Sequence, residues 1–128
     1  MAPPGRSYGE VGEFSGPGWR SGPVWRATNF WRRWRGLRPI ANNYGLWLTG
    51  RSVHGFGMTE ILWVCGLDKT ATVIGVKKLQ PGSVVRIRRA TSVLELPALR
   101  QPPDPGMVLT WIDAGDLDSL RDTDRQPG

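Results

Sequence analysis

The sequence predicts a mainly β fold, a small antiparallel β-barrel or meander, with one short basic helix near the amino terminus. Three observations support this prediction. The chain has 128 residues, which is enough for one compact domain. From residue 44 onward the apolar runs are short and rich in β-branched and aromatic residues, which favour strands. Turn-forming residues separate these runs, so consecutive strands are expected to pair as neighbours.

The predicted strands occupy the middle of the chain. In Val84–Arg88 apolar and basic residues alternate, so Val85 and Ile87 should face the interior. Arg86 and Arg88 should then face solvent. We place strands at Tyr44–Thr49, Ile61–Leu67, Thr72–Lys78, Val84–Arg88, Ser92–Leu96 and Met107–Ile112, with turns at Asp68–Thr70 and Gln80–Gly82. Three prolines between residues 102 and 105 break any sheet that precedes them.

Residues 1–24 are interpreted as a disordered arm, because they contain six glycines and four prolines without apolar periodicity. Trp19 and Trp25 are expected to dock on the domain, since large aromatic side chains are seldom left exposed. Residues 25–112 form the single β-rich domain of this interpretation, and residues 113–128 form an acidic flexible tail.

A helix is predicted after the arm, where Thr28 is a candidate cap and Gly36 a candidate stop. One face of this helix is aromatic and the other is basic. The aromatic face consists of Phe30, Trp31 and Trp34, and the basic face of Arg32, Arg33 and Arg35.

The charge of the chain favours an anionic partner. Seventeen basic residues stand against eleven acidic ones, which gives a net charge of +6 and a pI near 10.4. The charge is also segregated. Residues 1–100 hold fifteen basic and five acidic residues, whereas residues 101–128 hold two basic and six acidic residues.

Several blocks between residues 25 and 99 resemble the domain-of-unknown-function family 192 in both order and spacing. The blocks are Phe30–Leu37, Tyr44–Leu48, Arg51–Met58, Leu79–Gly82 and Arg89–Ala98. The resemblance implies a small, mainly antiparallel β fold with little helix. It places the chain beside bacterial and archaeal proteins without an established activity, and close to the shorter form that is not exported.

The chain departs from that family's pattern after its methionine. Relatives usually have a basic residue there, then a proline, an apolar residue and an aspartate. The corresponding positions hold Thr59, Ile61, Leu62 and Trp63. The turn that follows commonly carries a glycine in relatives, where this chain has Ala71. If the family has a polar site near that aspartate, this member has lost or altered it.

Few residues of the sequence suggest catalysis. His54 is the single histidine and the natural candidate for a general base. Cys65 lies in an apolar run and is interpreted as a buried, inert thiol. Together with Met58 these two residues are too few for a zinc site. We therefore assign no catalytic residue, no metal and no cofactor.

Two functions of different class follow. The first is a non-enzymatic binding or accessory module whose basic face meets a nucleic acid or an acidic protein surface. That face is assigned to Arg32, Arg33, Arg35, Arg86, Arg88 and Arg89.

The alternative is a small-molecule pocket or hydrolase-like site lined by His54, Phe56, Met58 and Glu95. A cytoplasmic location is expected, because the sequence shows no signal peptide, no apolar run of about 20 residues, and one cysteine.

Overall fold

A computed structural model describes residues 10–27, 44–54 and 60–115, and these residues form ten β-strands. The strands are β1 (Glu10–Gly16), β2 (Trp19–Arg20), β3 (Val24–Ala27), β4 (Gly45–Thr49), β5 (Ser52–His54), β6 (Leu62–Leu67), β7 (Val73–Leu79), β8 (Val84–Arg86), β9 (Ser92–Pro97) and β10 (Thr110–Asp113). The mainly β class is confirmed.

Eight of these strands form one sheet that curls into an open half-barrel. The strand order is β10-β1-β3-β4-β9-β6-β7, with β2 paired to β1. Neighbouring strands are antiparallel except β3 and β4, which run parallel. The segment before β10 reaches the start of β7, where Gly106 donates to the Val73 carbonyl (2.7 Å) and Val73 donates to the Met107 carbonyl (2.8 Å). One corner of the half-barrel is thereby closed.

Strands β5 and β8 pair with each other as a separate two-stranded ribbon. Each face of the main sheet carries its own apolar cluster. The inner cluster consists of Phe14, Val24, Cys65, Leu67, Val73, Leu94, Leu96 and Leu109. The ribbon cluster consists of Leu62, Val64, Leu79, Val85, Ile87, Ala90 and Val93, and it holds the ribbon against the sheet.

The strands predicted from residue 44 onward agree with the structure to within a few residues at each end. The alternation predicted for Val84–Arg88 is also correct, since Val85 and Ile87 are buried while Arg86 and Arg88 are exposed. No strand runs through the proline-rich segment between β9 and β10. These strands were predictable because each has its own apolar pattern and is bounded by turn residues.

The structure differs from the sequence interpretation between residues 10 and 24. This segment was assigned to a disordered arm, yet it supplies β1, β2 and the start of β3. Two of the glycines that suggested disorder, Gly12 and Gly16, are covered by side chains from distant residues. A Cβ atom on Gly12 would lie 2.5 Å from the ring of Trp111, and one on Gly16 would lie 2.6 Å from the Met107 sulfur. Here glycine makes room for packing.

Trp25 is buried and Trp19 packs against the inner cluster, which confirms that both indoles dock on the domain.

Asp113 belongs to β10, although the acidic tail was expected to begin there. Its carboxylate accepts a hydrogen bond from the Trp111 indole (2.9 Å). The predicted helix at residues 28–36 and residues 116–128 of the tail lie outside the described residues.

The turn between β6 and β7 is closed by the side chain of Asp68. One carboxylate oxygen accepts the backbone N–H groups of Thr70 (2.9 Å) and Thr72 (3.0 Å) and the Thr70 hydroxyl (2.7 Å). These bonds lower the pKa of Asp68 below its ordinary value, with the Thr70 hydroxyl as the largest cause. Ala71 has a φ of 62°, a left-handed conformation that favours glycine.

Candidate anion-binding surface

The ribbon formed by β5 and β8 stands on two glycines of the main sheet. Gly66 of β6 and Gly75 of β7 are register partners, so their missing side chains leave a flat area on one face. Ile87 occupies this area. A Cβ atom on Gly66 would lie 2.8 Å from the Ile87 Cβ, and one on Gly75 would lie 3.1 Å from its Cγ2. The paired glycines therefore form the seat of the ribbon.

The outer side of this ribbon is basic. Five exposed cations lie on the ribbon, in the segments that flank it or on the neighbouring strand β7. We call them the basic ribbon: Arg51, Lys77, Arg86, Arg88 and Arg89. Hydrogen bonds connect the segments that carry them. The Lys77 ammonium donates to the Arg86 carbonyl (3.0 Å), and the Ile87 N–H donates to the Arg51 carbonyl (2.8 Å).

In the basic ribbon, none of the five side chains forms an ion pair with a carboxylate of the described residues. The ion pair found elsewhere in these residues joins Arg20 to Glu13. Five cations without acidic partners produce a positive surface potential that attracts anions.

Arg89 is placed by a strained turn. The Ala90 N–H donates to the Ile87 carbonyl (3.2 Å), and this bond closes a four-residue turn with Arg88 and Arg89 at its centre. Arg89 has a φ of 71°, which glycine or asparagine adopts more easily. The burial of Ile87 and Ala90 on either side holds this conformation.

The structure brings together half of the predicted basic face. Arg86, Arg88 and Arg89 share the ribbon, whereas Arg32, Arg33 and Arg35 lie outside the described residues. Sequence reasoning missed Arg51 and Lys77. Their nearness to Arg86 depends on the pairing of β5 with β8 and on the ribbon's seat on β7. No local pattern encodes either contact.

The alternative pocket is described only in part. Glu95 is buried on β9, where its register partners are Leu46 and Val64. Val64 belongs to the ribbon cluster, so Glu95 points to the sheet face that the ribbon covers. His54 lies at the end of β5 opposite Val84, and its side chain is not described. Phe56 and Met58 lie outside the described residues, so this pocket stays a prediction.

Cys65 belongs to the inner cluster and is fully buried. Burial raises the pKa of its thiol to about 12, because the charged thiolate loses its hydration there. A protonated, enclosed thiol is a poor nucleophile. Among the residues that the structure describes, no group of three or more His, Cys, Asp or Glu side chains comes close enough to hold a metal ion.

Two other cations stack on indole rings. The Arg26 guanidinium lies 4.7 Å from the Trp47 ring centre, and the Lys78 ammonium lies 5.0 Å from the Trp63 ring centre. Both residues are exposed to solvent, so water competes with these cation–π contacts. These residues lie on the face of the inner cluster and are therefore separate from the basic ribbon.

Comparison with protein families, with curated proteins and with solved structures finds no match for this chain. The resemblance to the domain-of-unknown-function family 192 therefore stays a prediction. In the described ranges, no helix has the length and apolar character needed to span a membrane.

Proposed function

We propose that this protein is a non-enzymatic binding module that holds the phosphate backbone of a nucleic acid against the basic ribbon. The observation that carries the proposal is the set of five exposed cations without an acidic partner among the described residues. Guanidinium groups suit phosphate, because their N–H donors match its oxygens in pairs. Four of the five cations are arginines.

A polymer fits this surface better than a small anion does. The cations are spread over an outer surface, and each one is reached from solvent. A small ion bound there would be screened by salt and hydrated on most sides. A phosphate backbone contacts several cations at once and releases its condensed counterions, which supplies the free energy of binding. The proposed contacts are to phosphates and not to base edges, so the proposed binding is independent of nucleotide sequence.

The proposal predicts steep salt dependence. If all five cations meet phosphates of a duplex, the slope of log K against log salt is about −4.5. Raising salt from 50 to 200 mM should then weaken binding by two to three orders of magnitude, roughly. The measurement is a fluorescence-anisotropy titration of a labelled 20-residue duplex and of the matching single strand at both salt concentrations. Absent or salt-independent binding would contradict the proposal.

Single substitutions test the surface itself. Arg88→Gln should reduce the magnitude of the salt slope by about 0.9, because one phosphate contact is lost. Lys69→Gln is the matched control. Lys69 is exposed on the turn between β6 and β7 and is not part of the basic ribbon. Its substitution by glutamine removes one positive charge, as Arg88→Gln does. Equal effects of the two variants would show that net charge alone drives binding.

A competition experiment separates the two partners that the charge allows. Polyglutamate carries carboxylates, whereas polyphosphate carries the oxygens of a nucleic-acid backbone. Displacement of the duplex by polyphosphate, at a lower charge concentration than polyglutamate requires, is the expected result. The reverse order would point to an acidic protein surface and would overturn the proposed partner.

We also propose membership of the domain-of-unknown-function family 192. The mainly antiparallel sheet supports it, since the resemblance implies such a fold. Ala71 adds support, because its φ of 62° is the conformation in which the family's usual glycine would be unstrained. The family has no established activity, so this proposal does not change the functional one.

A further inference from the structure

A shallow depression lies between the β1–β2 hairpin and the loop that follows β9, away from the β5–β8 ribbon. Its volume is about 440 Å³, which is within the usual range for small-ligand sites. The residues that line it are Gly18, Trp19, Arg20, Ser21, Gly22, Arg100 and Gln101. Two arginines and one indole thus meet at one concave surface.

Arg20 is oriented by a buried acid. Its Nε donates to one oxygen of Glu13 (2.7 Å) and its Nη2 donates to the other (3.3 Å). The Glu13 side chain is only 9% exposed, whereas that of Arg20 is 61% exposed. The carboxylate therefore lies beneath the guanidinium and holds it in a two-bond fork. With the described residues the Nη1 group of Arg20 makes no hydrogen bond, so it remains available to a ligand.

Arg100 reaches the same place from the far end of the sequence. Its Nη1 donates to the carbonyls of Ser21 (2.8 Å) and Pro23 (3.0 Å). Gly22 has a φ of +75°, and a Cβ atom there would lie 3.2 Å from the Arg100 Cζ. The Arg100 guanidinium thus packs against the backbone of Gly22, where no side chain intervenes. Its Nε and Nη2 groups form no hydrogen bond with the described residues.

The environment of Arg100 favours an anion. Partial burial lowers the pKa of its guanidinium, while the nearby Glu13 carboxylate acts in the opposite direction. Arginine stays protonated under such shifts, so the group remains a desolvated cation. A ligand oxygen would supply the hydrogen bonds that its free N–H donors lose on burial.

Trp19 supplies the apolar part of the site. Its indole N–H donates to the Gln101 carbonyl (2.8 Å), which fixes the ring in the depression that Arg20 and Arg100 also line. The ring is half-buried against the inner cluster and its remaining surface lines the depression. An aromatic ligand body can stack on such a surface while its acidic group meets the arginines.

We propose that this depression binds the carboxylate of a small aromatic acid, with Arg20 and Arg100 holding the two oxygens and Trp19 packing against the ring. Charge balance selects the carboxylate. Two guanidinium groups and the Glu13 carboxylate leave one net positive charge, which a single negative charge neutralises. A phosphate monoester, which is close to doubly ionised at neutral pH, would leave a negative charge unpaired beside Glu13.

Benzoate is the probe, and benzamide is its neutral match in size and shape. Binding is followed by ¹H–¹⁵N correlation spectra, in which the Trp19 indole N–H and the Nε–H signals of Arg20 and Arg100 report on the site. Benzoate should shift these signals and bind at least about tenfold more tightly than benzamide, because charge-assisted hydrogen bonds are lost with the neutral ligand. Equal affinities would overturn the proposal.

Substitution of Arg100 tests the assignment. Arg100→Met should weaken benzoate binding at least about tenfold. Arg88→Met removes the same charge from the basic ribbon and should leave the benzoate affinity unchanged. A shift of the Trp19 indole signal in ligand-free Arg100→Met would show that this substitution disturbs the loop. In that case Arg100→Lys is the variant that tests the role of Arg100. Lysine keeps the charge without the fork, so benzoate binding should be intermediate.

Inorganic phosphate provides the remaining test. Tighter binding of phosphate than of benzoate at the same signals would contradict the carboxylate assignment. This site is independent of the proposed function, because nucleic-acid binding should respond to Arg88→Met and not to Arg100→Met. A loss of both activities in one variant would indicate general electrostatic attraction and would overturn the assignment of a distinct site.

Discussion

Two turns of this protein hold a residue other than glycine in the left-handed region, and they stabilise it by different means. Ala71 follows the turn between β6 and β7, where the Asp68 carboxylate accepts three hydrogen bonds. Arg89 lies in the turn after β8, which has one backbone hydrogen bond of 3.2 Å and no side-chain cap among the described contacts. The second turn depends instead on the burial of Ile87.

The comparison shows that polar capping and apolar anchoring can both impose an unfavourable backbone conformation. The two turns differ in whether their polar side chains remain available to a partner. The Asp68 turn uses its polar side chains internally, whereas the Ile87 turn keeps Arg88 and Arg89 exposed for a partner. Strain tends to be retained where surrounding contacts fix it and where the strained residue has a role. The predictions below test this contrast, beginning with the largest effect.

Gly66→Ala should have the largest effect, because the added methyl group enters the space that Ile87 occupies. We expect a loss of about 1–3 kcal/mol in the free energy of unfolding, as is typical of overpacking. Ile87 is the anchor of the ribbon, so nucleic-acid binding should weaken as well. Urea unfolding followed by tryptophan fluorescence measures the stability.

Gly75→Ala is the matched control for that prediction. Its Cβ atom would lie 3.1 Å from Ile87 Cγ2, a contact that a slight movement of the isoleucine relieves. The loss should therefore be under about 1 kcal/mol. A larger loss for Gly75→Ala than for Gly66→Ala would contradict the proposed seat of the ribbon.

Arg89→Gly and Ala71→Gly should each stabilise the protein by about 0.5–1 kcal/mol, because glycine adopts a positive φ without the clash of a Cβ atom. The two variants should differ in binding. Arg89→Gly removes a cation of the basic ribbon and should weaken nucleic-acid binding, whereas Ala71→Gly should not. Thermal unfolding and anisotropy titration measure the two properties.

Lys69→Gly is the control for both variants. Lys69 is not among the described residues that have a positive φ, so glycine there only increases the flexibility of the unfolded chain and should destabilise. If Lys69→Gly stabilised the protein as much as Arg89→Gly does, relief of strain could not explain the gain.

The smallest effect concerns pH and the Asp68 turn. The pKa of Asp68 in the folded protein lies below the ordinary value of 3.8. Its ionised form therefore stabilises the fold at neutral pH, and this contribution is lost as pH falls through the folded pKa. The difference in melting temperature between the protein and Asp68→Asn should shrink below about pH 4. A constant difference down to pH 2 would show that the carboxylate charge is not involved.

Strand β4 and strands β6 to β10 were predicted from sequence, because each contains an apolar run bounded by turn residues, whereas β5 was not predicted. The pairing of Gly66 with Gly75 was not predictable. Gly66 lies two residues before the predicted turn at Asp68–Thr70 and Gly75 lies five residues after it, and the two meet only because the register shifts between Gly66 and Leu67. Strands β1 to β3 were not predictable, since the glycines of β1 remove the alternation by which a strand is recognised.

Sequence alone therefore determined the β class, most of the middle strands and the exposure of Arg86 and Arg88, because these depend on local alternation and turn chemistry. The tertiary structure decided which charges are compensated. Glu13 gives no sign in the sequence that it is buried under Arg20, and Arg100 meets Ser21 across 79 residues. Contacts of that kind arise only when the sheet curls and brings distant segments together, since no local preference specifies them.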